Sequence, residues 1–277
     1  MELTRICERS LALRPVQVEK PWGRAELPGN FAPPCGRTIG EVWFEHPATN
    51  ELPLLVKYIF TSEKLSVQVH PDDLEARARG LKRGKTECWY VLDAERDAEI
   101  GIGLAQPVSA CELRSAALDG SIERMIDWRP VAPGDFIFVP AGTIHAIGAG
   151  ISLLEFQQNA DATYRLYDYG RPRDLHLDEA AAVATTEFDW GEHSRPAGGP
   201  LDAILIDGPH FSLVRASAGG RIDELLSDRL RWVMPLDGMV TADGVTVQSG
   251  GCLLVDKDVP LAMSDMTVVL VGAEGGL

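Results

Sequence analysis

The sequence is short of the features that mark secreted, membrane-spanning or nucleic-acid-binding chains. Five cysteines in 277 residues (Cys7, Cys35, Cys88, Cys111 and Cys252) form an odd, scattered set with no Cys-x-x-Cys pair. Such spacing supports neither a disulfide framework nor a thiolate metal site, and it fits reduced thiols in a cytoplasmic protein. No Asn-x-Ser/Thr sequon occurs. No apolar run approaches the ~18 residues of a membrane-spanning helix. The opening stretch, MELTRICERSLALRPVQ, breaks its apolar positions with Arg and Glu, so it lacks the apolar core of a signal peptide. Positive charge is scarce as well: 26 Lys and Arg stand against 41 Asp and Glu, for a net charge of −15. That argues against nucleic acid and anionic lipid as partners, since both need a dense cationic face. Internal repeats and low-complexity tracts are absent too.

Turn formers, by contrast, are plentiful, with 27 Gly and 18 Pro spread through the chain. Between them lie short β-branched and apolar runs at 54–60, 65–69, 87–92, 98–103, 135–139, 151–156, 201–206, 211–216, 230–235, 239–241, 252–255 and 267–271. Many short strands punctuated by turns predict an all-β sandwich or barrel with a few short helices. The helical segments expected are 72–81, with acids in its first turn and bases in its last, 109–118 and 178–184. The polar, Gly- and Pro-rich stretch 187–200 reads as a linker, which divides the chain into domains at 1–190 and 200–277.

Two passages carry chemistry. In Ser66-Val-Gln-Val-His70-Pro-Asp-Asp, Gln68 and His70 are two apart on a strand and share a face. Glu87 follows in Lys85-Thr-Glu-Cys-Trp-Tyr at the head of another strand. The second passage, GDFIFVPAGTIH, runs a strand into a Pro/Gly turn that presents His145. His70, His145 and Glu87 could converge, with Gln68 as a further oxygen donor. Two imidazoles and a carboxylate suit Zn²⁺, and also Fe²⁺, Mn²⁺ or Ni²⁺. A lone histidine is most often a packed or solvated residue, and His46, His176, His193 and His210 are read that way. Trp22, Trp89 and Trp128 read as core or pocket-rim residues. From Lys64 to Lys85 six bases (Lys64, Arg77, Arg79, Lys82, Arg83, Lys85) face three acids (Asp72, Asp73, Glu75), a local surplus that would draw an anion. Arg77 and Arg79 fit a solvated helix face, whereas Lys82 and Lys85 are expected nearer the mouth of the site.

GDFIFVPAGTIH matches the second cupin motif, G-x5-P-x-G-x2-H, except that Ala149 stands where the motif usually has Asn four residues on. QVHPDD, GKTECWYVL, PAGTIHAIG and TYRLYDYGR, in this order over about residues 20–180, together resemble the class I mannose-6-phosphate isomerases in their short bacterial form. The resemblance implies two cupin-like jelly-roll barrels, the first carrying the metal. The second is degenerate, because no histidine follows His210. It implies that the helical domain which larger members insert is reduced here to a short piece between Gly103 and Gly134. It implies Zn²⁺ on His70, Glu87 and His145, with Gln68 as a weaker fourth ligand. Arg165 falls on the family's catalytic arginine and Glu155 on an active-site acid. Lys85, Ser66 and Glu41 fall on other pocket positions, with Ser66, Lys85 and Arg165 contacting substrate. The implied activity is interconversion of mannose 6-phosphate and fructose 6-phosphate by a monomer or homodimer. Two rivals are a metal-holding sugar-phosphate sensor without turnover and an Fe²⁺ dioxygenase. Retention of Arg165 and Glu155 weighs against the sensor. Gln68, where dioxygenases more often carry a second histidine, weighs against the dioxygenase.

Overall fold

Strands dominate the computed structural model, which describes residues 9–27, 31, 36–49, 51–185 and 190–275. Cys7 and Cys35 lie outside the described residues. In chain order the first strands are β1 (Ser10–Ala12), β2 (Arg14–Arg24), β3 (Ile39–Glu45), β4 (Leu54–Phe60), β5 (Val67–Val69), β6 (Glu87–Ala94) and β7 (Glu99–Leu104). There follow β8 (Ile126–Pro130), β9 (Phe136–Val139), β10 (His145–Ile147), β11 (Ile151–Gln158), β12 (Tyr164–Tyr167) and β13 (Ser194–Arg195). The remainder are β14 (Ala203–Asp207), β15 (Phe211–Ser217), β16 (Arg231–Asp237), β17 (Met239–Ala242), β18 (Val245–Gln248), β19 (Leu253–Val255), β20 (Ala262–Met263) and β21 (Val268–Glu274).

Among the described residues four sheets form, in the orders β13-β9-β6-β11-β4-β3-β2, β12-β5-β10-β7-β8, β1-β19-β16-β21-β15-β14 and β18-β17-β20. The apolar clusters show how they stack. Trp22, Ile59, Trp89, Val91 and Leu153 of the seven-stranded sheet pack with Ile100, Ile102 and Ile147 of the five-stranded sheet. The opposite face of the seven-stranded sheet, through Val56, Tyr58, Phe60, Cys88, Leu154 and Phe156, meets Phe211, Leu213, Trp232 and Leu270 of the six-stranded sheet. The three-stranded sheet closes the far side through Val240, Ala242 and Val247. The seven-stranded sheet is therefore covered on both faces, and all eight residues of β11 are buried. Burying apolar area on both faces is the main favourable term, at roughly 25 cal/mol per Å².

Three of the helices form in the segments expected. Helix α1 (Asp73–Ala78) opens on a capping box between Asp72 and Glu75 and stops before Gly80. Helix α2 (Ala110–Asp119) opens on a second capping box, Ser109 with Glu112, and ends on Gly120 in the left-handed region. It is the short helical piece expected between Gly103 and Gly134. With α3 (Leu177–Val183) it buries Leu113, Ala117, Ala180 and Val183 against the outer face of the five-stranded sheet. None of the helices among the described residues is long and apolar enough to cross a membrane.

Two expectations need correcting. The stretch 187–200 is not a plain linker: α4 (Trp190–His193) and β13 lie within it, and β13 pairs with β9. Its backbone finds partners on the rim of the first sandwich despite its turn-forming composition. Near the other end of the chain, β1 pairs with β19, so a strand from before residue 190 completes the six-stranded sheet of the C-terminal half.

Candidate metal and sugar-phosphate site

The inner face of the seven-stranded sheet changes character along its strands. At one end Ile59, Val91 and Leu153 are packed. Two residues further, on the same face, stand Lys57, Trp89 and Glu155; beyond them stand Leu55, Glu87 and Gln157. The polar end, with Glu41 and Trp43 from β3 and Gln68 and Arg165 from the opposing sheet, lines a cavity of about 370 Å³.

The three sequence-predicted ligands meet beside it, and of the three Glu87 lines the cavity. One candidate donor atom from each of His70, Glu87 and His145 lies within 4.8 Å of the others, and each residue is 1% exposed. His145 sits opposite Gln68 on β5. The Pro140–His145 turn is tied to the first motif by the Gly142 amide, which donates to the His70 carbonyl (2.8 Å). Gly142 there has φ +85°, a left-handed conformation that suits glycine. The imidazoles are oriented alike: Nδ1 of His70 contacts the Ala162 carbonyl and Nδ1 of His145 the Thr143 carbonyl, both at 2.9 Å. An Nδ1–H donated to a carbonyl leaves each Nε2 with its lone pair turned inward. Burial first, then Lys85, pushes His70 down to about 4. Burial likewise lowers His145. Both shifts favour the neutral ring, the form that binds metal.

Burial alone would raise Glu87, but Lys85 and the two imidazoles outweigh it and hold the carboxyl well below its ordinary range. Oε1 of Glu87 makes no hydrogen bond and faces Nε2 of His145 at 3.4 Å, while Oε2 faces Nε2 of His70 at 3.4 Å. The inward lone pairs are met by N–H donors: Lys85 Nζ lies 3.1 Å from His70 Nε2, and the Gln68 amide lies 3.2 Å from His145 Nε2. This donor set fits a divalent cation, with lone pairs and a carboxylate converging and cationic or N–H groups drawn to them. Ser66 donates to Gln68 Oε1 at 3.1 Å, so Gln68 would offer an oxygen to a metal only with its amide turned.

From this centre a ladder of alternating charge crosses the sheet. Lys85 contacts Glu87 and lies 3.6 Å from Glu155. Glu155 pairs with Lys57 at 2.9 Å, and Lys57 lies 4.0 Å from Glu41, which pairs with Lys20 at 3.2 Å. Two indoles complete the carboxylates: Trp89 Nε1 donates to Glu155 (3.1 Å) and Trp43 Nε1 to Glu41 (2.6 Å). Glu41 thus lines the cavity at the ladder's far end from the histidines. Arg165 stands on β12 opposite Gln68 and also lines the cavity. Trp22 and Trp89 are both buried and cavity-lining, whereas Trp128 packs under the Lys64 ammonium, away from the cavity.

Lys57, Lys20 and Arg173 escaped sequence reasoning. Lys57 had left a signal: a lone charge inside the apolar run Leu54–Phe60. Arg173 lines the cavity and is held by the buried carboxylate of Asp168 at 2.6 Å. Conversely, Lys82 is not at the mouth; it is exposed and paired with Glu51 (3.3 Å), and of the six bases from 64 to 85 it is Lys85 that lines the cavity.

No protein-family model matches the chain. Mannose-6-phosphate isomerase ManA of Bacillus subtilis is 42% identical over 201 residues, 67% of this chain and 64% of the relative, so that relative is matched over less than two thirds of its length. YvyI of Bacillus subtilis, provisionally named a mannose-6-phosphate isomerase, is 34% identical over 246 residues, 83% of this chain and 74% of the relative. A crystal structure of the mannose 6-phosphate isomerase from Bacillus subtilis superposes with a TM-score of 0.79 at 26% identity, covering 96% of this chain and 99% of that one. The mostly β fold with a few short helices, expected from the sequence, is therefore shared with a solved member, and the chain belongs to the mannose-6-phosphate isomerase family.

Proposed function

We propose that the protein is a metal-dependent aldose–ketose isomerase interconverting mannose 6-phosphate and fructose 6-phosphate. The observation that carries this reading is a buried His–Glu–His group whose glutamate lines one cavity together with an acid–base ladder and an arginine. In this reading His70, Glu87 and His145 hold the ion, with Gln68 as a weaker fourth donor, and Zn²⁺ suits that mixed nitrogen and oxygen set. When bound, the ion would polarise a sugar oxygen and fix the carbonyl and its neighbouring hydroxyl in one orientation.

The chain's own groups would move the protons. Isomerisation shifts one proton between adjacent carbons and another between their oxygens, and needs an acid–base group close to each. Glu155, with an oxygen between the ammonium groups of Lys57 and Lys85, is suited to take the carbon-bound proton and return it to the neighbouring carbon. Lys85 can hold a proton at the oxygens, and Glu41, further along the ladder, can exchange protons with the open side of the cavity. Arg165 supplies positive charge for the enediolate or the phosphate, and Ser66 keeps the Gln68 amide in place. The same reading places this machinery in a domain spanning 1–190, apart from β1, which joins the sheet of the C-terminal half, and gives 200–277 the role of packing against it. It takes the protein as cytoplasmic, consistent with free, buried Cys88 and Cys252, and as a monomer or homodimer.

A coupled assay tests it. Mannose 6-phosphate is supplied and fructose 6-phosphate followed, before and after chelation and zinc addition. Turnover lost to chelator and restored by zinc is expected. A zinc-loaded protein that binds the sugar phosphate without turnover would replace this reading with that of a sensor.

A further inference from the structure

We propose that His176 is a positioning residue that holds Arg165 in its cavity-facing pose, a role that rests on the isomerase reading above. Strand β12 is an edge strand, so among the described residues one side of its backbone has no neighbouring strand. Arg165 lies opposite Gln68, and its amide and carbonyl both turn away from β5 to His176. His176 meets both. The Arg165 amide donates to His176 Nδ1 at 3.2 Å, and the His176 amide donates to the Arg165 carbonyl at 2.8 Å. With its polar groups directed outward, Arg165 forms the non-hydrogen-bonded kind of pair with Gln68, the kind that brings cross-strand side chains closest.

The placement of His176 shows that its imidazole is committed to this contact. It occupies the N-cap of α3, and its carbonyl accepts from the Ala180 amide at 2.8 Å. An N-cap side chain ordinarily accepts from the helix's own first amides. That of His176 caps none of them and reaches back to Arg165 instead. To accept there, Nδ1 must carry its lone pair, with any ring proton on Nε2. The helix behind it is fixed by Leu177, Ala180 and Val183, which pack with Tyr164 and Leu166, the residues flanking Arg165. The Arg165 side chain has little else to set it: Nε has no hydrogen-bond partner, and no ion pair to its guanidinium forms among the described residues. The backbone clamp is what fixes its base.

Three variants separate this role from bulk packing. In His176→Asn, Oδ1 lies as many bonds from the backbone as Nδ1 and can accept the Arg165 amide. His176→Gln places its oxygen one bond too far, and His176→Ala has no acceptor. Two readouts are taken on the full chain: hydrogen exchange at the Arg165 amide, and kcat and KM for mannose 6-phosphate with metal content measured alongside. Wild type and H176N are expected to protect the amide and to turn over within about threefold of each other. H176A and H176Q should exchange at least about tenfold faster and lose about 10–100-fold in kcat at unchanged metal content, the scale of a misplaced group. Equal protection in H176A, or full kcat in H176A and H176Q despite lost protection, overturns the proposal. A wild type that exchanges slowly but does not isomerise identifies the isomerase reading as the part that failed. Should H176A not fold, the contrast between H176N and H176Q decides the matter by itself.

Discussion

Lys57 and Glu155 stand opposite each other on neighbouring strands, and Nζ meets Oε1 at 2.9 Å inside the cavity. Burial alone would strip Lys57 of its proton, but the carboxylates of Glu155, Glu41 and Glu87 reverse that and raise its affinity for the proton. The pair is held by its surroundings, since a buried charge without its partner is far costlier than the pair itself. Lys57→Met should therefore destabilise the fold by about 3–5 kcal/mol. The double variant Lys57→Met/Glu155→Gln should recover a large part of that loss. Urea denaturation of the set measures both values. A single variant as stable as wild type would mean that the two charges are not coupled.

The residues of the His–Glu–His group were legible because they sit in short motifs whose spacing has one structural meaning. His145 follows a strand and a turn, and Gln68 lies on β5 with His70 directly after the strand's end. The ladder beyond them was harder to read. In a sheet covered on both faces, alternation of polar and apolar residues no longer reports which way a side chain points. Every residue of β11 is buried, and Glu155 is distinguished there only by its charge. Strand β2 was missed for a different reason. Pro15 and Pro21 break its pattern, yet β2 is the edge of the seven-stranded sheet, where a missing amide is tolerated. Strand β3 escaped too, although Glu41 had been singled out through the family motif. The pairing of Ser194–Arg195 with β9 depends on a partner more than fifty residues away, which local composition does not encode.

Glu41 gives the site a pH signature in stability. Burial would raise its carboxyl, but Lys57 and Lys20, with the Trp43 indole, outweigh this and hold it below its ordinary 4.5. A carboxyl that is more acidic folded than unfolded stabilises the native state above the unfolded pKa and loses that contribution as pH falls through the folded value. Wild-type stability should therefore decline from about pH 4.5 downward. Glu41→Gln should be less stable at neutral pH, with a shallower acid limb. Denaturation midpoints collected across that range test this. Parallel acid limbs for the two proteins would show that Glu41 is not held by the two lysines.

The metal-side group and Arg165 should separate under mutation. His145→Ala removes a donor from the His–Glu–His group, so metal content and turnover should fall together. Arg165→Ala leaves His70, Glu87 and His145 in place and should keep its metal while losing at least about 100-fold in kcat, the scale of a lost charge-stabilising donor. Metal analysis alongside the coupled assay reads both effects. Full activity in Arg165→Ala would remove that residue from the chemistry.

Gly84 tests how the two halves of the metal-side group are joined. It precedes Lys85 and crosses directly over the turn that follows His70. A Cβ at Gly84 would lie 2.4 Å from the Asp72 carbonyl carbon and 2.6 Å from the Pro71 oxygen, both backbone atoms with little freedom to yield. The contact is close because the segments are laced together: the Lys85 amide donates to the Pro71 carbonyl at 3.0 Å, and the Gly84 amide to Asp73 at 2.8 Å. Gly84→Ala must push these segments apart, moving His70 away from Lys85 and Glu87. The expected cost is about 1–3 kcal/mol for overpacking, with weaker metal retention on dialysis. Gly80→Ala is the control. Gly80 has φ +81° and open space around its missing side chain, so its alanine carries backbone strain of about 1–2 kcal/mol without touching the site. If the two variants lose equal stability and both keep their metal, the crossing at Gly84 does not hold the donors in register. If only Gly84→Ala sheds metal, the close approach of these two backbones sets the separation of His70 and Glu87.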